Sequence, residues 1–107
     1  MFMQATITVG CGEDRDCKPL SREEEAFATE SAMRILSLHF GGVTILKGDG
    51  AWLDDNDTLI VEPCRHFLVM GDKVTPELVG QAAVSLRNLF NQSCVVVSIS
   101  NSAITLV

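Results

Sequence analysis

Polar and apolar residues alternate from Gln4 to Val9, with Gln4, Thr6 and Thr8 set against Ala5, Ile7 and Val9. This two-residue period predicts a half-buried strand, which Gly10-Cys11-Gly12 ends; the charged stretch Glu13 to Lys18 reads as a loop. The period then changes. Ser21, with Glu24 three residues on, forms a capping box, and Glu23, Glu24 and Glu25 place negative charge in the first helical turn, where it favours the helix dipole. Phe27, Ala28, Ala32, Met33, Ile35, Leu36 and Phe40 follow at three- and four-residue spacing, the signature of an amphipathic helix, and Gly41-Gly42 closes it. Val43 to Leu46 is an apolar strand, and the sequence predicts a turn through Gly48-Asp49-Gly50 and an acidic tip at Asp54-Asp55-Asn56-Asp57. A second apolar run follows to Met70, broken in pattern by Glu62-Pro63. Thr75 caps a second helix with Pro76 in its first turn and Leu78, Val79, Ala82, Ala83, Leu86, Leu89 and Phe90 on its buried face. After Asn91-Gln92, the run Cys94 to Ile99 is a last strand that Asn101-Ser102 interrupts, with Ala103 to Val107 extending it or adding a short strand.

The resulting order, β-α-β-β-α-β, is the ferredoxin-like α+β arrangement: one four-stranded antiparallel sheet with two helices on one face, here as a single domain over residues 1–107. The second face of such a sheet is open. Both faces of the last strand are apolar (Cys94 and Val96 against Val95 and Val97), which points to cover by a partner subunit.

Composition narrows the function classes. A formal net charge of −6 with no basic run argues against general nucleic-acid binding. No apolar run approaches the roughly 18 residues of a membrane span, and Met1-Phe2-Met3-Gln4 lacks the basic start of a signal peptide, so the expected location is the cytoplasm. Cys11, Cys17, Cys64 and Cys94 form no CxxC pair, and His39 and His66 have no zinc-finger spacing to them, so neither metal nor other cofactor is expected. Cys64 and Cys94 read as buried small hydrophobes.

Glu62 stands out as a carboxylate inside an apolar run. It is suited to acid–base work or to holding a ligand hydroxyl or ammonium; the other reading is a solvated carboxylate at a bulge made by Pro63. Trp52 is the only tryptophan, fit either to stack on a base or to anchor the core. If the strand resumes after Pro63, Arg65 shares a face with Phe67 and Val69, and His66 shares the other with Leu68, so either one is a candidate for a ligand anion. Gln92-Ser93 occupies a helix-to-strand junction suited to a polar ligand contact. Asp54, Asp55 and Asp57 read as a solvated tip, Gly48 and Gly50 as turn glycines rather than a phosphate loop, and no Ser-His-Asp or Cys-His signature is present.

The segments Gly48-Asp49-Gly50-Ala51-Trp52, Glu62-Pro63-Cys64-Arg65 and Gln92-Ser93-Cys94-Val95-Val96-Val97 together resemble an uncharacterised bacterial family of small ferredoxin-like domains. The layout is also similar to the phage-encoded S-adenosylmethionine lyases, trimers that cleave S-adenosylmethionine to methylthioadenosine and homoserine lactone at sites between subunits. The resemblance spans roughly the last two-thirds of the chain. It implies a homo-oligomer, with a trimer favoured, that binds an adenosine-containing molecule and has lyase-like activity. Glu62 would be the catalytic carboxylate, and Trp52, Gln92, Arg65 and His66 would surround the ligand. Trp52 falls where the lyases use a tyrosine, and this chain contains no tyrosine. The alternative is a non-catalytic phage anti-defence or host-takeover protein that sequesters a nucleotide signal or binds a host protein, with a merely structural oligomer as the third reading.

Overall fold

The computed structural model describes residues 2–102. Strand β1 (Phe2–Gly10) leads to helix α1 (Arg22–Phe40). Strands β2 (Thr44–Leu53) and β3 (Leu59–Gly71), helix α2 (Pro76–Leu89) and strand β4 (Val96–Ser102) follow. The strands form one antiparallel sheet in the order β2-β3-β1-β4. Alternation along β1 places Ala5, Ile7 and Val9 on one face, with Phe67 and Val69 of β3 beside them. Ala28, Ala32 and Leu36 of α1 and Val79, Ala82, Ala83 and Leu86 of α2 close over these residues. The expected ferredoxin-like architecture, with both helices on one face, is therefore the observed one.

Local hydrogen bonds explain the helix limits. Ser21 Oγ accepts from the Glu24 N–H, and Glu24 Oε1 accepts from the Ser21 N–H, so two of the first-turn donors are satisfied reciprocally. Gly41, at φ 88°, ends α1 in the left-handed conformation that glycine adopts without steric cost. Thr75 Oγ1 accepts from the Leu78 N–H at the start of α2. At its end Asn91 adopts φ 50°, and the N–H groups of Asn91 and Gln92 donate to the carbonyls of Asn88 and Arg87. This Schellman closure fixes the direction in which the chain leaves the helix.

Several expectations need correction. The β2–β3 turn lies at Asp54–Asp57, not at Gly48-Asp49-Gly50. Asp54 Oδ1 accepts from the Asn56 and Thr58 N–H groups, Asp57 takes φ 58°, and β2 runs unbroken through both glycines. Pro63 makes no bulge, since pairing with β2 continues from Asp49↔Pro63 to Gly50↔Glu62. The Pro63 carbonyl accepts from the Cys11 N–H, so the missing proline N–H faces the end of β1, one residue past the last pair Gly10↔Cys64, and only a terminal bond of the ladder is forgone. Asn101 and Ser102 do not break the last strand; they pair with Met3 and Phe2. Cys94 is exposed rather than buried, because it precedes the first β4 pairing, Thr8↔Val96. Phe27 and Met33 are exposed on α1, whose buried stripe is the i, i+4 series Ala28, Ala32, Leu36 and Phe40. Residues 103–107, expected to extend the last strand or add another, lie outside the described residues.

Candidate functional site

Register determines which side chains share the open face of the sheet. The pairs Gly50↔Glu62, Gly48↔Cys64 and Leu46↔His66 join β2 to β3, Thr8↔His66 joins β3 to β1, and Thr8↔Val96 joins β1 to β4. Since Thr6 and Thr8 alternate with the buried Ala5, Ile7 and Val9, all of these side chains point away from the helices. Trp52, two residues beyond Gly50, lies on the same face. It is 47% exposed, which places it outside the core.

At the end of this face nearest the Gly10–Leu20 connection is a cleft of about 470 Å³. Trp52 and Ala51 form one wall, Glu62, Cys64, Thr8 and Gly10 the floor, Gln92 to Val96 a second wall, and Asp14, Arg15 and Cys17 the rim. Trp52, Glu62 and Gln92, singled out separately in the sequence, thus line a single cavity. Gly10 makes room for the carboxylate. Gly50 stands opposite Glu62, and a Cβ on Gly10 would stand 2.8 Å from Glu62 Oε1 and 3.5 Å from Gln92 Oε1. Gln92 Nε2 donates to the carbonyls of Glu13 (2.8 Å) and Phe90 (3.0 Å), which leaves its Oε1 as the end beside Gly10. Among the described residues nothing donates to Glu62. Two acceptor oxygens therefore converge beside an aromatic ring, an arrangement suited to a cationic or N–H-rich ligand next to a planar one.

Arg65 and His66 lie elsewhere. Arg65 is on the helix face, where its guanidinium pairs with Glu25 of α1 and also donates to Cys11 Sγ and the Cys64 carbonyl. His66 is on the open face but does not line the cleft. Its Nδ1 is 2.8 Å from Thr8 Oγ1 and its Nε2 3.5 Å from Cys64 Sγ, so both ring nitrogens have protein partners. Burial pushes the Cys64 thiol above its usual pKa of 9.0, and the carboxylates of Asp49 and Glu62 push it in the same direction. Cys64 is therefore a protonated thiol at neutral pH, not a ready nucleophile.

The rim is pinned to the end of α2. Asn91 Nδ2 donates to Asp14 Oδ2 (3.0 Å), and the Asn91 carbonyl accepts from the Arg15 N–H (2.7 Å). Asp14 Oδ1 accepts from the Lys18 N–H (3.0 Å) and the Asp16 N–H (2.8 Å), and these bonds hold its carboxyl below the usual carboxylate range. Arg15, which carries no sequence signal, is the only basic side chain lining the cleft among the described residues. An isolated arginine in a charged loop carries no local signal; what brings it here is the tie between this loop and Asn91.

The fold and cleft define a ferredoxin-like α+β domain with a ligand-sized cavity on its open sheet face. No protein-family model and no curated protein sequence matches the chain. Solved structures do. A phage S-adenosylmethionine lyase in complex with S-methyl-5'-thioadenosine superposes with a TM-score of 0.67 at 18% identity, over 92% of this chain and 80% of that one. A phage S-adenosylmethionine lyase in the apo state gives 0.63 at 18% identity, over 92% and 78%. The periplasmic divalent cation tolerance protein CutA from Archaeoglobus fulgidus gives 0.60 at 10% identity, over 99% and 88%. The chain thus shares its fold with both. None of its described helices is long and apolar enough to cross a membrane.

Proposed function

We propose that the protein is a homo-oligomer, a trimer in its simplest form, that binds S-adenosylmethionine in this cleft and cleaves it to methylthioadenosine and homoserine lactone. The observation that carries the reading is the meeting of Trp52, Glu62 and Gln92 in one cavity, in a fold shared with a lyase whose structure holds methylthioadenosine. Trp52 would pack on the adenine, and Glu62 with Gln92 Oε1 would hold the sulfonium and amino cation. The reaction is balanced within the substrate. Its carboxylate oxygen bonds to its own γ-carbon, the γ-carbon–sulfur bond breaks, and the electron pair goes to sulfur, which leaves as a neutral thioether. Because the nucleophile is already tethered, holding a near-attack conformer supplies most of the acceleration.

Oligomerisation is supported by the arm formed by β2 and β3 beyond the helices. Leu53, Leu59 and Val61 on one face are 61%, 62% and 58% exposed, and Trp52 lies on the other, so the arm is apolar on both sides. One observation favours a second reading, a non-catalytic protein that sequesters the nucleoside. The chain has no tyrosine, and the indole of Trp52 donates a hydrogen bond but cannot accept one. Incubation with S-adenosylmethionine, followed by mass spectrometry for methylthioadenosine, separates the two. Product supports the lyase; binding without product at high protein concentration supports sequestration. A monomer by light scattering at micromolar concentration would remove the interface from either reading.

A further inference from the structure

An acidic protein is a poor host for an anion, yet the cleft has one position that suits one. The chain carries a net charge of −6, and Asp14 and Glu62 both line the cavity, so a carboxylate entering it meets repulsion unless a cation contacts it directly. Among the described residues Arg15 is the only one lining the cleft that can make such a contact. Among the described residues its guanidinium has no ion pair and no hydrogen bond; only its backbone N–H is engaged, with Asn91. The adjacent Asp14 does not occupy it, since both Asp14 oxygens are committed to Asp16, Lys18 and Asn91. The loop therefore fixes the Arg15 backbone and leaves the head group unpaired at the cleft rim. A planar guanidinium in that position suits a carboxylate, which it can bind through two parallel N–H donors.

We propose that Arg15 is a specificity-determining residue: it anchors the carboxylate of an α-amino acid tail whose ammonium is held by Glu62 and Gln92 Oε1. The cleft is then bipolar, with acceptors on the floor and a donor fork at the rim, matched to a zwitterion attached to a nucleoside. This inference rests on the adenosine reading above and adds the group that selects among adenosine compounds. A nucleoside with the whole amino-acid tail binds well, whereas one that has lost the carboxylate does not, which favours release of a methylthioadenosine product.

Calorimetric titration with three probes that are not turned over tests this. S-adenosylhomocysteine carries both tail charges, its decarboxylated analogue keeps only the ammonium, and methylthioadenosine has neither. The wild-type protein is expected to prefer S-adenosylhomocysteine over the decarboxylated analogue by about tenfold or more, the value of a charge-assisted hydrogen bond. Arg15→Ala should erase that preference while changing affinity for the other two probes by no more than about twofold. Lys73→Ala, which removes the same charge in the turn before α2, should leave the preference intact. A preference retained in Arg15→Ala, lost equally in Lys73→Ala, or absent from a wild-type protein that binds the nucleosides overturns the role of Arg15 and leaves the adenosine reading standing. Failure of the folded wild-type protein to bind any of the three removes that reading, and this inference with it.

Discussion

Gly10→Ala separates the ligand role of Glu62 from any structural one. Gly10 ends β1 in extended backbone, so alanine is conformationally acceptable there, and fewer unfolded conformations would by themselves stabilise the fold by about 0.4–1 kcal/mol. The new methyl would stand 2.8 Å from Glu62 Oε1 and 3.3 Å from its Cδ, inside the ~3.5 Å of an ordinary non-bonded contact. A carboxylate at the end of a flexible chain gives way by rotating, so the overlap should be relieved by Glu62 leaving its place beside Gln92. The expected cost falls on the ligand. Losing a charge-assisted hydrogen bond to a bound cation removes about 1.5–3 kcal/mol, or roughly 10- to 150-fold in affinity. Melting should therefore stay within a few degrees of wild type or rise, while the dissociation constant for S-adenosylhomocysteine climbs by at least tenfold. An affinity within twofold of wild type would refute the placing of the ligand cation at Glu62, and a large fall in melting temperature would show that the Gly10–Glu62 approach is structural.

Glu62→Gln keeps the shape and removes the charge, so it should abolish measurable ligand binding with a melting shift of only a few degrees; a collapsed fold would show Glu62 to be structural. Arg65→Met should do the opposite. It leaves Glu25 without its partner in a partly buried setting, at about 1–3 kcal/mol by thermal unfolding, with ligand affinity unchanged. Burial raises the thiol pKa of both Cys11 and Cys64 above 9.0, so the stability each contributes is complete below the unfolded value and is lost as pH rises through the folded one. Denaturant midpoints should accordingly fall above about pH 9, less steeply in Cys64→Ser; a limb identical in that variant would refute the assignment. Trp52→Tyr should leave turnover of S-adenosylmethionine within about threefold of wild type, and a tenfold gain would show that a phenol is required.

The sequence is most readable where hydrogen bonds are local. Ser21 with Glu24, and Thr75 with Pro76, place both helix starts within a residue of their observed positions. Strand parity likewise puts Arg65 and His66 on opposite faces. What misleads is residue chemistry with a long-range cause. Gly48 and Gly50 look like a turn, but both lie within a strand, and Gly48 is needed there: a Cβ on it would stand 3.1 Å from His66 Nε2. Pro63 looks like a breaker, yet it is harmless because its missing donor faces the end of β1. Arg15 gives no signal, because its place in the cleft depends on Asn91, whose left-handed backbone closes a helix more than seventy residues away.

The lack of a tyrosine in this chain matters little to the proposed reaction, because the chemistry proposed for the cleft is proton-neutral. Attack by the substrate carboxylate on its own γ-carbon consumes no base and generates no anion on the leaving sulfur. A phenol could contribute orientation or a hydrogen bond, but it has no proton to move. The requirements are a platform for the adenine, a negative group near the sulfonium and ammonium, and a cavity wall that keeps the tail bent. Trp52 supplies the platform, Glu62 with Gln92 Oε1 the negative end, and the strand turn of Gln92 to Val96 the wall. What a single chain does not enclose is the side beyond Trp52, where the arm is apolar on both faces and uncovered. In the proposed oligomer a second copy would close over that arm and hold the bound tail, which would tie the rate of the proposed reaction to assembly more closely than to any one side chain.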